Sequence, residues 1–540
     1  MLTKQQRALV AIATLLVAIT RWLALSRTLW DWDEAQFVVA MRHFDIAAHH
    51  PHPPGFPLFI AAANALHQLL GFDEFHALQA LSFIAAVLIV PAMTSFALAA
   101  GADFLTSFLA SLILAFFPNV WFYGGTALSD VPSMTLIVIA LALLLRCGTA
   151  DPGGAGRRVG GPTLLGLAAA IRPQNLLIGA YPLLRRRSIV AVLVTGAVAI
   201  VFYATAAWAT GGWHVFLDAL RKHQAYLAQH DAWTSPTRPP LTHLVDDFFI
   251  RPYRAQSINI LTTVLAAIAL IRHRKPVLIA LASFGPFCLA AWLLLDRFSA
   301  SRFSVGYAPL FALLAADALA TFKPRMQTIA ASVYIALMIV WTWPALRIVH
   351  TTISPPVAAA NWLRANAHRE VYVDPRMGAF GDALLPRITK RTSLWSAQPG
   401  DYVLTDGEGA IAFRRPHGHL WKLARQRYFE ASVSPAQSPF AFGEGWYPQE
   451  SSDDDTWRWM GGRGVIRVLA SCKALTFDFY APSLEATITI NGMRFKPPAS
   501  EFMKTIGAAP EVVIETDRVA HNPNDPRHFG LRLKSVDCVR

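Results

Sequence analysis

Hydrophobic and polar positions divide this chain into two parts. Up to about residue 349, apolar runs of membrane-spanning length recur, and short stretches rich in Arg and Lys separate them. They predict about eleven transmembrane helices, some short or broken. These fall near 7–28, 78–100, 103–123, 127–146, 163–173, 174–184, 188–210, 256–271, 276–295, 303–321 and 326–348. The pair spanning 163–184 is too short for two full crossings, and Arg172-Pro173 interrupts it. It predicts a broken helical hairpin, and non-helical backbone at membrane depth is tolerated only where it lines a cavity. After residue 349 the polarity rises. A Pro-Pro start predicts a helix over 357–366, and 371–373 and 402–404 predict strands of a small α/β piece. Further on, apolar residues alternate at 464–469, 474–480, 486–491, 511–516 and 530–534, with turn residues such as Asn491-Gly492 between them. That pattern predicts a β-sandwich. The expected organisation is a membrane domain over 1–350, an α/β segment over 351–436 and the sandwich over 437–540.

Composition agrees with the pattern. The chain is 54% hydrophobic and only 15% charged, where a soluble protein carries about 25% charged residues. The formal charge of +13 would suit nucleic acid. However, many of the arginines cluster between apolar segments, where membrane topology accounts for them and no nucleic acid is needed. Lys4/Arg7, Arg157/Arg158, Arg185 to Arg187, Arg272/Arg274/Lys275 and Lys323/Arg325 fall on one side, which is the cytoplasmic side by the positive-inside rule. The N-terminus is then cytoplasmic. The outer face receives 29–77, 124–126, 211–255, 296–302 and the tail. The stretch 56–70 is short and carries Pro57 and His67, so it predicts a helix lying on or dipping into the outer surface. The first apolar segment has no small-residue cleavage site and contains Arg21, which predicts a retained helix. Cys472 and Cys538 lie in the tail and can pair if the tail is outside the cytosol; Cys147 and Cys288 belong to the apolar part, and no zinc-ligand spacing is present.

Candidate chemistry concentrates in the first outer loop. Residues 31–57 carry Asp31, Asp33 and Glu34, then His43, His49, His50 and His52, and a His-Pro-Pro-Gly turn. A solvated loop would account for each of these singly. Ser129-Asp130 before an apolar run suits a helix cap, and Arg172 alone suits a snorkelling side chain. In order along the chain, however, stand Asp33-Glu34, His50 to Gly55, Leu128-Ser129-Asp130-Val131-Pro132, Ile171-Arg172-Pro173-Gln174 and Ser301-Arg302-Phe303 with Pro309. Together they resemble the polytopic glycosyltransferases of the C superfamily, in particular bacterial members related to protein O-mannosyltransferases and to the aminoarabinose transferase of lipid A. The resemblance covers roughly residues 7–350.

It implies a polyprenyl-phosphate-linked sugar as donor and transfer on the outer side of the membrane. Asp33 matches the family's base position and Glu34 its neighbour, while His52 and Asp130 fall in the substrate-binding set. Arg172, Arg297 and Arg302 are candidates for holding the lipid phosphate, because guanidinium matches phosphate bidentately. Some relatives need a divalent metal, for which His50, His52 and Asp130 are the candidate ligands beside Asp33. The tail's GWYPQE at 445–450 and WRWM at 457–460 look similar to jelly-roll-like modules of envelope glycan enzymes. Trp446, Trp457 and Trp459 serve there either as core or as faces for sugar rings. The expectation is an inverting glycosyltransferase of the bacterial cytoplasmic membrane. Its acceptor is an envelope glycan, lipid or protein. A transporter or flippase of an anionic lipid-linked substrate is the second class, although no inverted repeat of broken helices is visible. A non-catalytic membrane scaffold is the third.

Overall fold

The computed structural model describes residues 2–146, 155–253, 255–295, 300–391, 393–415, 429–451, 456–522 and 525–539; side chains of 155–158 and 451 are not described. Arg297 and Cys147 lie outside the described residues, as do the side chains of Arg157 and Arg158. The chain forms two compact units, residues 1–357 with 414–429, and residues 358–413 with 430–540.

The first unit is helical. In order it contains α1 (Lys4–Trp22), α2 (Trp32–Arg42), α3 (Pro57–Leu70), α4 (Glu74–Ala100), α5 (Phe104–Phe116) and α6 (Pro118–Tyr123). Next come α7 (Asp130–Arg146), α8 (Ala155–Ile171), α9 (Asn175–Arg185), α10 (Ile189–Ala209), α11 (Trp213–His230) and α12 (Leu241–Val245). It closes with α13 (Gln256–Arg272), α14 (Lys275–Leu294), α15 (Ala300–Phe303), α16 (Ala308–Leu319) and α17 (Pro324–Thr351). Among the described residues five helical stretches are long and apolar enough to cross a membrane, and four shorter helices are apolar. Large apolar side chains on α10 face outward, Trp208 being 83% exposed, as lipid-facing positions do. The helical unit is that of a multi-pass membrane protein. Arg21 sits fully buried in α1 between the rings of Phe116 and Trp121, at 5.5 and 5.3 Å, and donates to the Ala115 carbonyl at the end of α5. A cation at a helix C-terminus is favourably placed against the helix dipole, so Arg21 ties α1 to α5.

Prolines explain where the structure departs from the sequence expectation. The stretch 103–123 is two helices, because Pro118 cannot donate to the ladder and restricts Phe117 to extended backbone. The span expected over 303–321 is preceded by α15, passes through a 3-10 turn over Ser304–Tyr307 and becomes α16 at Ala308, with Pro309 in its first turn. The broken hairpin is present: α8 ends at Ile171 and α9 starts at Asn175. The first outer loop is the larger difference, since it contains the buried helix α2 rather than an open loop.

The second unit is β-rich. A five-stranded sheet contains β1 (Val371–Val373), β2 (Lys390–Arg391), β3 (Tyr402–Thr405), β4 (Ile411–Arg414) and β5 (Glu430–Pro435), in the order β2-β1-β3-β5-β4. The following strands are β6 (Phe440–Phe442), β7 (Glu450–Ser451), β8 (Thr456–Met460), β9 (Arg463–Val468), β10 (Ala474–Tyr480) and β11 (Ile488–Ile490). After them come β12 (Met493–Phe495), β13 (Glu501–Gly507), β14 (Glu511–Thr516), β15 (Ala520–Asn522), β16 (Asp525–Phe529) and β17 (Leu531–Val539). Two five-stranded antiparallel sheets, β13-β10-β17-β8-β7 and β12-β11-β14-β9-β6, share one core. Alternation builds that core. In β10 Leu475, Phe477 and Phe479 point inward and meet Ile466, Ile488 and Ile514 of the other sheet. Trp446 packs against this core, while Trp457 and Trp459 stack with Arg532 on the opposite face of their sheet.

Cys472 and Cys538 form a disulfide across 66 residues. A loop of that length corresponds to about 4 kcal/mol of lost denatured-state entropy. Alkylation of the folded, unreduced chain is therefore expected to leave both thiols unlabelled. Cys472→Ser is expected to lower the melting temperature of the β-rich unit by several degrees in the full chain; two labelled thiols in the native fold would contradict the pairing.

Candidate functional site

The site is built on the start of α2. Asp31 caps the helix, its Oδ1 accepting from the Asp33 backbone N–H at 2.9 Å. Glu34 reaches back in a capping box. Its Oε2 accepts from Trp30 N–H at 2.5 Å and Asp31 N–H at 2.9 Å, while Oε1 accepts from Ala127 N–H at 2.8 Å. Glu34 thus pins the entry of α2 to the turn before α7 and points away from open space. Gln79 supports the same place from α4, donating to the Ser26 and Gly125 carbonyls at 2.7 and 2.9 Å. Burial raises the Glu34 carboxyl from its ordinary 4.5 to about 7, against the lowering pull of its three backbone donors.

With that anchor, Asp33 faces across to Asp130, and one guanidinium bridges them. Arg302, 2% exposed, donates from Nη1 to Asp33 Oδ2 and from Nε to Asp130 Oδ2 at 2.9 Å, with Asp31 3.7 Å away. Arg172 stands in the break between α8 and α9. It donates to Asp130 Oδ1 at 2.9 Å and to Ser129 Oγ at 3.1 Å, with its guanidinium 5.3 Å from the centre of the Phe56 ring. Among the described residues no partner bonds Arg172 Nη1 or Arg302 Nη2, and neither atom is sealed from solvent. Buried charges are tolerated when paired and hydrogen-bonded, and here two arginines answer three aspartates.

The His-Pro-Pro turn forms the next wall. Backbone bonds between Asp45 and His50 close a small loop, at 2.7 and 2.8 Å. Gly55 follows at φ +100, where a Cβ would lie 2.9 Å from Ile46, so only glycine fits without a shift. His52 lies 3.6 Å from Asp33 Oδ1 and 2.9 Å from Gln36 Oε1, both through Nδ1. Burial pushes its imidazole down to about 4, so it is neutral at physiological pH.

These groups line a cleft of about 1790 Å³. Asp33, Gln36, His52, Asp130, Arg172, Asn175 and Arg302 form its polar end. Leu177, Ile260, Phe287, Ala290, Ala291 and Leu294, on α9, α13 and α14, add apolar side chains to its lining. Lys222, His223 and Tyr226 of α11 lie along another side. The structure therefore gathers Asp33, His52, Asp130, Arg172 and Arg302. It places Glu34 behind them and His50 in the closed loop. Sequence reasoning named Ser129 only as part of the Asp130 motif and did not single out Gln36 or Asn175; Asn175 lies three residues after Arg172, just beyond the Ile171-Arg172-Pro173-Gln174 stretch, which was the available signal.

A divalent cation does not fit the expected ligands. Among the described residues no three His, Cys, Asp or Glu side chains stand together as metal ligands. Asp33 and Asp130 both face Arg302, and a guanidinium between two carboxylates opposes a second cation there.

Neither a protein-family model nor a curated protein sequence matches the chain. Among solved structures it is similar to ArnT from Cupriavidus metallidurans bound to undecaprenyl phosphate, at 14% identity and TM-score 0.49, over 78% of this chain and 97% of that one. It is also similar to the oligosaccharyltransferase AglB from Archaeoglobus fulgidus in complex with an inhibitory peptide and a dolichol-phosphate, at 12% identity and TM-score 0.47, over 74% and 69% of the two chains. A third match is an Archaeoglobus fulgidus oligosaccharyltransferase in complex with Zn and sulfate, at 11% identity and TM-score 0.47, over 97% and 98%.

Glu34 offers a direct check of the anchor. Both its oxygens accept, so Glu34→Gln turns an NH₂ against a backbone N–H and is expected to cost about 1–3 kcal/mol. Because its folded value is raised, this group's contribution to stability is full below pH 4.5 and is lost as pH rises through about 7. Melting temperatures at pH 5 and pH 8 are expected to differ through this group in the native chain, and that component is expected to vanish in Glu34→Gln.

Proposed function

We propose that the chain is a glycosyltransferase moving one sugar from a polyprenyl-phosphate-linked donor to a hydroxyl of an envelope glycan, lipid or protein. The reaction takes place on the outer face of a bacterial cytoplasmic membrane. One observation carries this reading: a single cleft is lined both by paired guanidiniums and carboxylates and by apolar side chains of α9, α13 and α14. A substrate with an anionic phosphate and a long hydrocarbon tail matches both features at once. The Cys472–Cys538 disulfide supports an outer location for the tail, because such bonds persist in oxidising compartments.

The chemistry follows from the side chains at the polar end. Asp33, in an ion pair with Arg302, takes the proton of the acceptor hydroxyl as that oxygen attacks the anomeric carbon. The bond from that carbon to the phosphate oxygen breaks, and its electron pair leaves with the polyprenyl phosphate. Attack and departure on opposite faces invert the anomeric centre. Arg172 Nη1 and Arg302 Nη2 remain available to hold the phosphate as negative charge builds on it. Asp130 fixes both guanidiniums at its two oxygens, which lowers the reorganisation needed when the charge develops. A transporter of the same lipid would also use the arginines, but it has no need of a carboxylate at the reacting end.

Asp33→Asn keeps the shape of the carboxylate and removes the proton acceptor. It is expected to insert and fold normally, to bind donor lipid, and to transfer sugar about 10² to 10⁴ times more slowly. Near-full transfer by this variant would reject Asp33 as the base. Arg172→Ala is expected to weaken capture of polyprenyl phosphate by about tenfold or more while the fold persists, since a charge-assisted bond contributes about 1.5–3 kcal/mol. Unchanged lipid capture would leave Arg172 with a purely structural place beside Asp130.

A further inference from the structure

Gln36 lies one helical turn after Asp33 on α2 and is only 4% exposed. Its Oε1 is 2.9 Å from Nδ1 of His52. An amide oxygen can only accept, so the hydrogen of the neutral imidazole sits on Nδ1. Asp33 Oδ1, 3.6 Å from the same nitrogen, favours the same position. Nε2 is then a bare lone pair. His52 lines the cleft, and among the described residues none bonds its Nε2. Phe37 stacks against the ring with centroids 6.5 Å apart, and Phe56 meets it edge-on at 5.0 Å, so the ring has little freedom to turn.

We propose that Gln36 is a positioning residue that fixes the His52 tautomer, and that His52 Nε2 accepts a hydrogen bond from a substrate hydroxyl. The inference rests on the glycosyltransferase reading and adds a specificity element to it. The two arginines recognise the anion. A lone pair on nitrogen recognises a group that donates, which a hydroxyl does and a phosphate oxygen does not. The hydroxyl belongs either to the sugar of the donor or to the acceptor, and both lie beside Asp33 in the proposed reaction.

A mutant cycle on the full chain in proteoliposomes tests this, with synthetic undecaprenyl-phosphate-linked pentoses and hexoses as donors and envelope material as acceptor. His52→Phe keeps the ring shape without an acceptor and is expected to lower kcat/KM about tenfold. In His52→Gln an amide oxygen reaches near the place of Nε2, and the loss is expected to be only about threefold. Gln36→Met keeps the volume and loses the acceptor. It is expected to cost about tenfold beside His52 but less than about twofold beside His52→Gln, because an amide has no tautomer to fix. Equal cost of Gln36→Met in both backgrounds would make Gln36 a packing residue and overturn the proposal, as would native transfer by His52→Phe. Should His52→Phe fail to fold, the cycle between Gln36→Met and His52→Gln decides alone. Binding of sugar-loaded donor against bare undecaprenyl phosphate separates the two sources. Weaker binding of the loaded lipid only assigns the hydroxyl to the donor sugar; unchanged donor binding with a raised acceptor KM assigns it to the acceptor. Absence of transfer by the native chain with every donor would instead reject the glycosyltransferase reading, and this inference with it.

Discussion

Arg302 is the group on which the site depends. It is buried at the entrance to α16, and its guanidinium joins Asp33 at the start of α2 to Asp130 at the start of α7. Three segments far apart in sequence are brought together by one planar cation. Without it three buried aspartates would face one another with Arg172 alone to balance them. Removing one partner of a buried ion pair typically costs about 3–5 kcal/mol, most of it from the charges left behind. The short α15 that carries Arg302, set off from α16 by the 3-10 turn over Ser304–Tyr307, and the break at Arg172 both interrupt an apolar helix where a guanidinium enters the cleft.

The sequence made the helical unit and the sandwich legible through different signals. Apolar length announced the spans, and strict alternation announced β10 and β14, because each buries one face only. α2 escaped for the opposite reason. Residues 33–40 are all buried, so the helix has no polar face and no helical period. The sequence set its two acidic residues side by side in an outer loop as base and neighbour, whereas Glu34 is a buried capping residue and Asp33 lines the cleft. Short strands such as β7 and β15 carry too few residues for a period.

Among the candidate residues, motif order along the chain identified those that meet, but not how they divide their work. Asp33 and Glu34 are neighbours in sequence and point to different places, because successive positions on a helix lie about a quarter-turn apart. Asp130 could pass for a cap or a metal ligand until its two arginines were seen. Gln36 had no signature at all, since an amide inside an apolar run is distinguished only by the ring it contacts.

The central claim is that the cleft breaks the bond between sugar and lipid phosphate rather than moving the intact lipid. The most direct measurement follows doubly labelled polyprenyl-phosphate sugar, with one label on the sugar and one on the lipid, in proteoliposomes containing the native chain and an envelope acceptor. The account predicts that the labels separate, with one bare polyprenyl phosphate released for each sugar gained by the acceptor and with the anomeric configuration inverted. Labels that stay together while the lipid changes leaflet would contradict it.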